Sequence, residues 1–290
     1  MAELLQSLVT GLTLGAMYAM VGVGFVLIYN VTGIINFAQG EYLMLGAMTA
    51  VTLVAAGVGL PLAFLAAVGV AAAVGGVVER VAIRPARGAS IETLILITIG
   101  VSITLNGVAL LVWGVNPRRY GPFTAGPPVE LAGAALSRQS VWVFAFTALV
   151  AGALWWFLER TTSGKAMRAC AMNPEAAMLQ GISSSRMSLY AFLLATGIAG
   201  ATGMVLVPIT SASYNMGLPL ALRGFTAAVI GGLVSPLGAI AGGLLLGVAE
   251  ASAARFVSSG LKDAIAFAVL FAVLVLRPQG LLRLRLASRV

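Results

Sequence analysis

Residues 4–40 have the sequence LLQSLVTGLTLGAMYAMVGVGFVLIYNVTGIINFAQG, and no side chain in this stretch is charged. Glu41 follows directly, and the next charged residue along the chain is Glu79. A charge inside a bilayer is costly and a membrane helix needs about 20 apolar residues, so this interval predicts three membrane helices. They run from about Leu4 to Tyr29, from Asn36 to Ala56 and from Pro61 to Ile83.

The composition of the whole chain indicates the same class of protein. Apolar residues make up 60% of the 290 residues and charged residues only 9%, whereas a soluble domain has about 25% charged residues. So few charges cannot cover a soluble fold of this size, and the remaining apolar surface must face lipid. The 35 glycines are typical of membrane helices that pack closely or break.

The residue types that are missing exclude several classes of function. The chain has no histidine and one cysteine, Cys170, which excludes an internal disulfide, a cysteine metal cluster and histidine-based catalysis. We therefore predict no catalytic residue, no metal ion and no cofactor. The sequence also lacks GxxxxGK[ST], so the chain does not hydrolyse ATP itself. Its net charge of +8 comes from basic residues between apolar spans, which argues against a nucleic-acid partner.

Charge-free intervals predict the remaining membrane segments in the same way. They run from about Ile91 to Trp113, Val141 to Leu158, Met187 to Pro208, Arg223 to Ala254 and Leu261 to Leu276. The predicted fold is an all-α membrane protein with about eight transmembrane segments, and residues 1–290 form one transmembrane domain. The long segment is interrupted by Ser235-Pro236-Leu237-Gly238.

Basic residues predict the orientation of the chain. The loop Glu159–Arg186 and the C-terminal tail are rich in lysine and arginine, and Arg80, Arg84 and Arg87 follow the third span. These regions are expected in the cytoplasm, which leaves the N-terminus outside. For the tail to end inside, the chain after residue 209 must cross an odd number of times. We therefore predict a re-entrant segment near 224–254, whose half-helix turns at Pro236-Leu237-Gly238 over a protein-covered pathway.

Three local patterns stand out beyond general membrane character. The first is Gly33-Ile34-Ile35-Asn36-Phe37-Ala38-Gln39-Gly40-Glu41-Tyr42, a polar cluster between glycines at the start of the second span. It indicates a helix that begins where solute or water can reach it. Alternatively, Asn36 and Glu41 only cap the helix and complement its dipole.

The second pattern is a short helix within the loop at 159–186. Asn173-Pro174 is a helix start, Glu175-Ala176-Ala177 continues the helix, and Gly181 ends it. Small residues on such a helix suit the groove of a partner protein, and a helix resting on the membrane surface is the alternative.

The third pattern is FTAAVIGGLVSPLGAIAGG at residues 225–243, whose glycines allow close helix packing around a Pro-Gly turn. Together, INFAQGEY, RACAMNPEAAMLQGI and this segment resemble, in order and over nearly the whole chain, the LivH-type permeases of branched-chain amino acid ABC importers. Gln39 departs from the histidine that many relatives carry, so leucine should not be assumed as the solute.

The resemblance implies a permease in a bacterial inner membrane, working with partner subunits. These are a LivM-like second permease or a second copy of this chain, two ATP-binding subunits and a periplasmic solute-binding protein. The short helix would couple to the ATPase through Asn173, Pro174, Glu175, Ala176, Ala177 and Gly181. The candidate translocation path comprises Asn36, Gln39, Glu41, Thr98, Ser102 and Asn106, with Thr104 on the same span. Hydrogen bonds between helices explain Thr98 and Asn106 about as well.

Other classes of function fit the residues less well. An ion-coupled secondary transporter or channel would need intramembrane ionisable groups, and only Glu41 and Glu250 qualify. A membrane enzyme would need a nucleophile with its base, or a metal cluster, and the sequence shows neither. A purely structural subunit would not need the coupling-like loop.

Overall fold

The structure, a computed structural model, describes residues 2–131, 133–256, 262–277 and 280–281. These residues form α-helices and one small antiparallel hairpin. The helices are α1 (Ala2–Thr32), α2 (Gln39–Ala55), α3 (Leu60–Val78), α4 (Ile91–Trp113), α5 (Arg138–Arg160), α6 (Thr162–Met172), α7 (Pro174–Leu179), α8 (Ser184–Thr210), α9 (Gly217–Gly231), α10 (Pro236–Phe256) and α11 (Lys262–Leu276). A π-helical turn, Glu79–Ile83, extends α3, and the hairpin pairs β1 (Val129–Leu131) with β2 (Ala134–Leu136).

The expected all-α membrane architecture is confirmed for the described residues. Within the described residues, six helices are long and apolar enough to cross a bilayer, namely α1, α3 with its π-turn, α4, α5, α8 and α10. The span expected at Ile91–Trp113 coincides with α4, which starts there because the Ser90 hydroxyl accepts a hydrogen bond from the Thr93 amide. Likewise α5 starts at Arg138, because the Ser137 side chain caps it.

Long-range hydrogen bonds define the two ends of the bundle. At the start of α1, Gln6 donates to the carbonyl of Ala135 in the hairpin, and Ser7 donates to Ala251 near the end of α10. We name this the hairpin end. At the other end of α1, Asn30 donates to the carbonyl of Val234. Residues 84–90, α6, α7 and the break at 232–235 lie at this opposite end, which we name the basic end.

Helix α1 is the centre of the bundle rather than an edge, and most of it is buried. It packs antiparallel to α10 through glycines on both helices. A Cβ added at Gly15 would lie 2.6 Å from the Cα of Leu244, and one added at Gly243 would lie 2.5 Å from the backbone nitrogen of Ala19. Such backbone approach is how membrane helices gain packing energy, because lipid provides no hydrophobic drive between them.

The interruption expected in the late segment is present, but its predicted position was wrong. Helix α9 ends at Gly231 and α10 begins at Pro236, so the turn is at 232–235 instead of at Pro236-Leu237-Gly238. Proline suits the first turn of a helix because no intrahelical bond needs its missing N–H. Ser235 completes this start by accepting a hydrogen bond from the Gly238 amide. The turn lies at the basic end beside Asn30 and not halfway through the bundle.

Candidate functional site

The chain between α1 and α2 runs back into the bundle without helical structure. Residues 33–38 have irregular backbone, and α2 begins only at Gln39. The Gln39 amide donates to the carbonyl of Ala195 at 3.1 Å, near the middle of α8. It also packs so tightly on Gly24 that a Cβ there would overlap it. The start of α2 therefore lies deep inside the bundle, where irregular backbone is tolerated only under protein cover or beside a cavity.

A second irregular segment meets the first at this depth. Residues 211–216 connect α8 to α9, and the carbonyl of Tyr214 accepts a 2.9 Å hydrogen bond from Asn106. Helix α9 then begins at Gly217, where an added Cβ would lie 2.6 Å from Oε2 of Glu41. An added Cβ at Gly40 would overlap the carbonyl of Gly217. The N-termini of α2 and α9 thus converge on the Glu41 carboxylate.

Helix α4 supplies the polar face opposite these two helix starts. Thr98, Ser102 and Asn106 are four residues apart and so lie on one side of the helix. Thr98 accepts a hydrogen bond from the amide of Phe37 at 3.2 Å, and Ser102 donates to Oε1 of Glu41 at 3.1 Å. The six residues expected in the path therefore lie around the start of α2, where Ser102 contacts Glu41, while the Gln39 side chain contacts α1 and α8. Thr104 is not part of this cluster, since it is exposed and donates to its own helix.

The cluster is enclosed and only partly satisfied. Asn36, Gln39 and Glu41 are completely or almost completely buried. Each of the three has one polar atom without a hydrogen-bond partner, which are Nδ2, Oε1 and Oε2 respectively. The N-cap residue of α2, Ala38, has no side-chain cap, and Asn36 instead accepts a hydrogen bond from the Ala38 amide. Two helix N-termini stabilise a carboxylate between them. The arrangement is a buried carboxyl group with unused bonding capacity.

The short helix expected in the loop at 159–186 is confirmed as α7. Asn173 caps it by accepting a 2.9 Å hydrogen bond from the amide of Ala176, and Pro174 is its first residue. The helix ends at Leu179, and Gly181 follows with a φ of 78°. Glycine adopts this left-handed conformation without the strain that a Cβ causes, so it terminates the helix as expected.

One side of α7 is anchored, and the other side is exposed within the described part of the chain. Ala177 is buried in a cluster with Met167, Cys170 and Met187, which fixes the helix to α6 and α8. Burial raises the pKa of the Cys170 thiol, so this side chain stays neutral and unreactive. Glu175 and Ala176 are exposed, and the outer surface carries Met172, Met178 and Leu179, with exposed fractions of 70%, 54% and 88%. Large apolar side chains exposed in this way are typical of a contact with another protein or with a membrane surface.

The sequence analysis did not identify a polar network beside α7. Glu79 is completely buried on the π-helical turn, where its Oε1 contacts Arg87 at 2.6 Å and accepts a 3.0 Å hydrogen bond from Ser188 on α8. π-Helical turns occur frequently at functional sites. A cleft of about 540 Å³ separates Arg87 from Pro174 on α7. The sequence signal was a lone carboxylate at the end of a span, but its partner Ser188 is 109 residues away.

These features define a class of protein, a multi-spanning helical membrane protein with two helix starts at mid-depth and a helix exposed at its basic end. Residues 7–274 match the family described as "Branched-chain amino acid transport system / permease component". Since this match covers most of the chain, the protein belongs to that family.

Characterised relatives agree with this assignment. The chain is 38% identical to the high-affinity branched-chain amino acid transport system permease protein BraD of Pseudomonas aeruginosa, over 96% of this chain and 95% of BraD. It is 33% identical to the corresponding LivH protein of Escherichia coli, again over 96% and 95%. It is also 26% identical to the E. coli ribose import permease protein RbsC, over 78% of this chain and 70% of RbsC. The resemblance recognised in the three sequence motifs is therefore confirmed.

Proposed function

We propose that this chain imports branched-chain amino acids, or closely related small solutes, as the permease subunit of an ATP-driven importer. The chain would act as a single transmembrane domain in the bacterial inner membrane. Its partners would be a second permease, LivM-like or a copy of itself, two ATP-binding subunits and a periplasmic solute-binding protein. The solute class rests on the relatives named for branched-chain amino acids, which are more similar to this chain than RbsC is.

The exposed apolar surface of α7 is the observation that carries the proposal of an ATPase partner. Met178 and Leu179 are exposed at an end rich in arginine. Helices of this kind bind in a groove of a partner. Ala177 and the Asn173 cap hold α7 rigidly against α6 and α8. A movement of the ATPase would therefore pass to α8 as a rigid-body displacement.

The orientation follows from the same end of the molecule. We infer that the basic end is cytoplasmic and that the N-terminus is outside, because Arg80, Arg84 and Arg87 lie there together with the loop at 159–186. The chain would then have eight transmembrane segments if the α9–α10 pair is counted as one broken segment. The solute-binding protein would contact the hairpin end, and solute would move from the hairpin end towards α7.

The polar cluster around Glu41 is proposed as part of the translocation path. It lies between two helix N-termini at mid-depth, as substrate sites do in transporters with broken helices. Its unpartnered atoms, Asn36 Nδ2, Gln39 Oε1 and Glu41 Oε2, provide both donor and acceptor capacity. Since the cluster is enclosed, it would contact solute only in another conformation, produced when the ATPases close.

Reconstitution tests this function directly. The chain would be co-expressed with its partner subunits, placed in liposomes and supplied with binding protein loaded in turn with radiolabelled leucine, isoleucine or valine. We expect at least one of these amino acids to accumulate, and only when ATP is present on the side of α7. The buried carboxylate of Glu41 favours one other function, an ion-coupled carrier. Leucine uptake driven by a proton gradient without ATP would support that function and reject the proposed one.

A further inference from the structure

A largely apolar groove opens at the basic end of the bundle, apart from the Glu41 cluster and from the cleft beside Arg87. It has a volume of about 180 Å³ and lies between α1, α5, α6 and the first turn of α10. Aliphatic side chains form most of its wall, among them Leu27, Leu154 and Leu237. Such a wall suits a hydrocarbon chain better than a polar solute.

The end of α5 and the start of α6 form the charged edge of this groove. A Cβ added at Gly164 would lie 2.7 Å from the Cα of Leu158, so the two helices pack closely there. Glu159 of α5 and Arg168 of α6 both line the groove and form an ion pair. Their side chains are 45% and 50% exposed. Because a guanidinium has five N–H donors, this pair leaves Arg168 with donors for an anion.

The side of α5 next to the groove has the character of a lipid-facing surface at a membrane interface. Trp155 lines the groove and is 51% exposed, and Trp156 beside it is 59% exposed. Only 17% of the most apolar stretch of α5 is buried within the described part of the chain. Tryptophan is enriched where the hydrocarbon of a bilayer meets its headgroups. The groove therefore opens at the level of the headgroups.

The charge around the groove favours an anionic headgroup. Between residues 159 and 168, one carboxylate stands against three cations, which are Arg160, Lys165 and Arg168. Lys165 and Arg168 are exposed and three residues apart, so they lie on the same side of α6. Basic pockets between membrane helices bind anionic lipid headgroups, and arginine suits phosphate geometry. A free phosphate would leave the apolar wall uncovered, whereas a phospholipid contacts both the charges and the wall.

We propose that this groove binds an anionic phospholipid of the surrounding bilayer. The lipid phosphate accepts hydrogen bonds from Arg168, with Lys165 one turn away, and an acyl chain lies along Leu154 and Leu237. The lipid contacts α6 and the start of α10 together, so it holds the loop that carries α7 against the turn at 232–235. The proposal needs only the membrane location of the chain and does not depend on the transported solute.

Lipid binding to the full-length chain in detergent tests the headgroup contact. Native mass spectrometry would give the Kd of phosphatidylglycerol and of phosphatidylcholine with the same acyl chains. We expect tighter binding of phosphatidylglycerol, and about tenfold weaker binding by Arg168→Gln, because a charge-assisted hydrogen bond to phosphate is lost. Arg160→Gln removes an equal charge outside the groove wall and should bind as wild type does. Equal losses in both variants would indicate general attraction to a basic surface and overturn the proposal.

Filling the groove tests the contact with the acyl chain. Ala151 lines the groove, so Ala151→Phe places a ring where the chain would lie. Ala148→Phe, at an exposed position about one turn earlier on α5, is the control. We expect only Ala151→Phe to lose phosphatidylglycerol, at a melting temperature without added lipid that matches the control. Unchanged binding by folded Ala151→Phe, or displacement of the lipid by inorganic phosphate, would refute the acyl-chain contact. If Ala151→Phe does not fold, the comparison of Arg168→Gln with Arg160→Gln still decides the proposal.

The assembled importer tests whether a protein subunit covers the groove instead. The same mass measurement would be made on the complete complex after its release from nanodiscs that contain phosphatidylglycerol. We expect the complex to retain the lipid, and the complex with Arg168→Gln to lose it. Loss of the lipid from the wild-type chain when the second permease binds would assign the groove to the interface between subunits and overturn the proposal.

Discussion

Replacement of Leu179 by aspartate should uncouple the permease from its ATPase without unfolding it. The side chain is 88% exposed, so the change removes almost no packing within this chain. Complete burial of a leucine side chain contributes about 1.5–3 kcal/mol. If the partner groove covers most of Leu179, its loss weakens binding by about 2 kcal/mol, or about 30-fold in Kd. The added carboxylate would be buried in the same groove, which lowers affinity further.

The measurement is the Kd of the purified ATP-binding subunits for the permease in lipid nanodiscs, followed by leucine-stimulated ATP hydrolysis in liposomes. Leu179→Met keeps an apolar side chain of similar volume and should bind within a few-fold of wild type. The thermal stability of the isolated permease should be the same for all three proteins, because Leu179 belongs to no buried cluster of the described residues. An unchanged Kd for Leu179→Asp would refute the docking of α7 on the ATPase.

Three other changes test the interior of the protein. Arg87→Met leaves the buried Glu79 carboxylate without its cation and should destabilise the permease by about 3 kcal/mol. Adding Glu79→Gln to this variant should restore much of the melting temperature measured in detergent. Equal melting temperatures of the single and double variants would contradict the ion pair. Gly40→Ala places a Cβ on the backbone of α9 and should reduce the yield of monodisperse protein in size-exclusion chromatography, whereas Gly69→Ala, with nothing within 4 Å, should not. Glu41→Gln removes the carboxylate between two helix N-termini and should lower leucine uptake about tenfold, while the importer complex assembles normally. Full uptake would show that the carboxylate only completes the packing.

Local features of the sequence were sufficient to predict the positions of the helices. The spacing of charges predicted α4 to the residue, and Asn173, Pro174 and Gly181 predicted the bounds of α7 closely. Both predictions succeed because a helix satisfies its backbone hydrogen bonds within four residues, and its caps use side chains equally close in sequence. The six polar residues of the proposed path lie around the start of α2, and their role in a path stays a prediction.

The tertiary structure decided how deep each segment lies in the bundle and which polar groups contact each other. The sequence predicted the late turn at Pro236, halfway through the membrane. The turn lies instead at 232–235, at the basic end, because the packing of α10 along α1 sets its position. Likewise, nothing near Gln39 in the sequence shows that its helix begins beside Ala195. Arg223 and Glu250, whose side chains approach to 3.6 Å, are 27 positions apart, and only the antiparallel packing of α9 and α10 joins them. Charge spacing thus determined which segments are helices in lipid, whereas the approach of distant backbones at glycines determined which polar groups meet inside it.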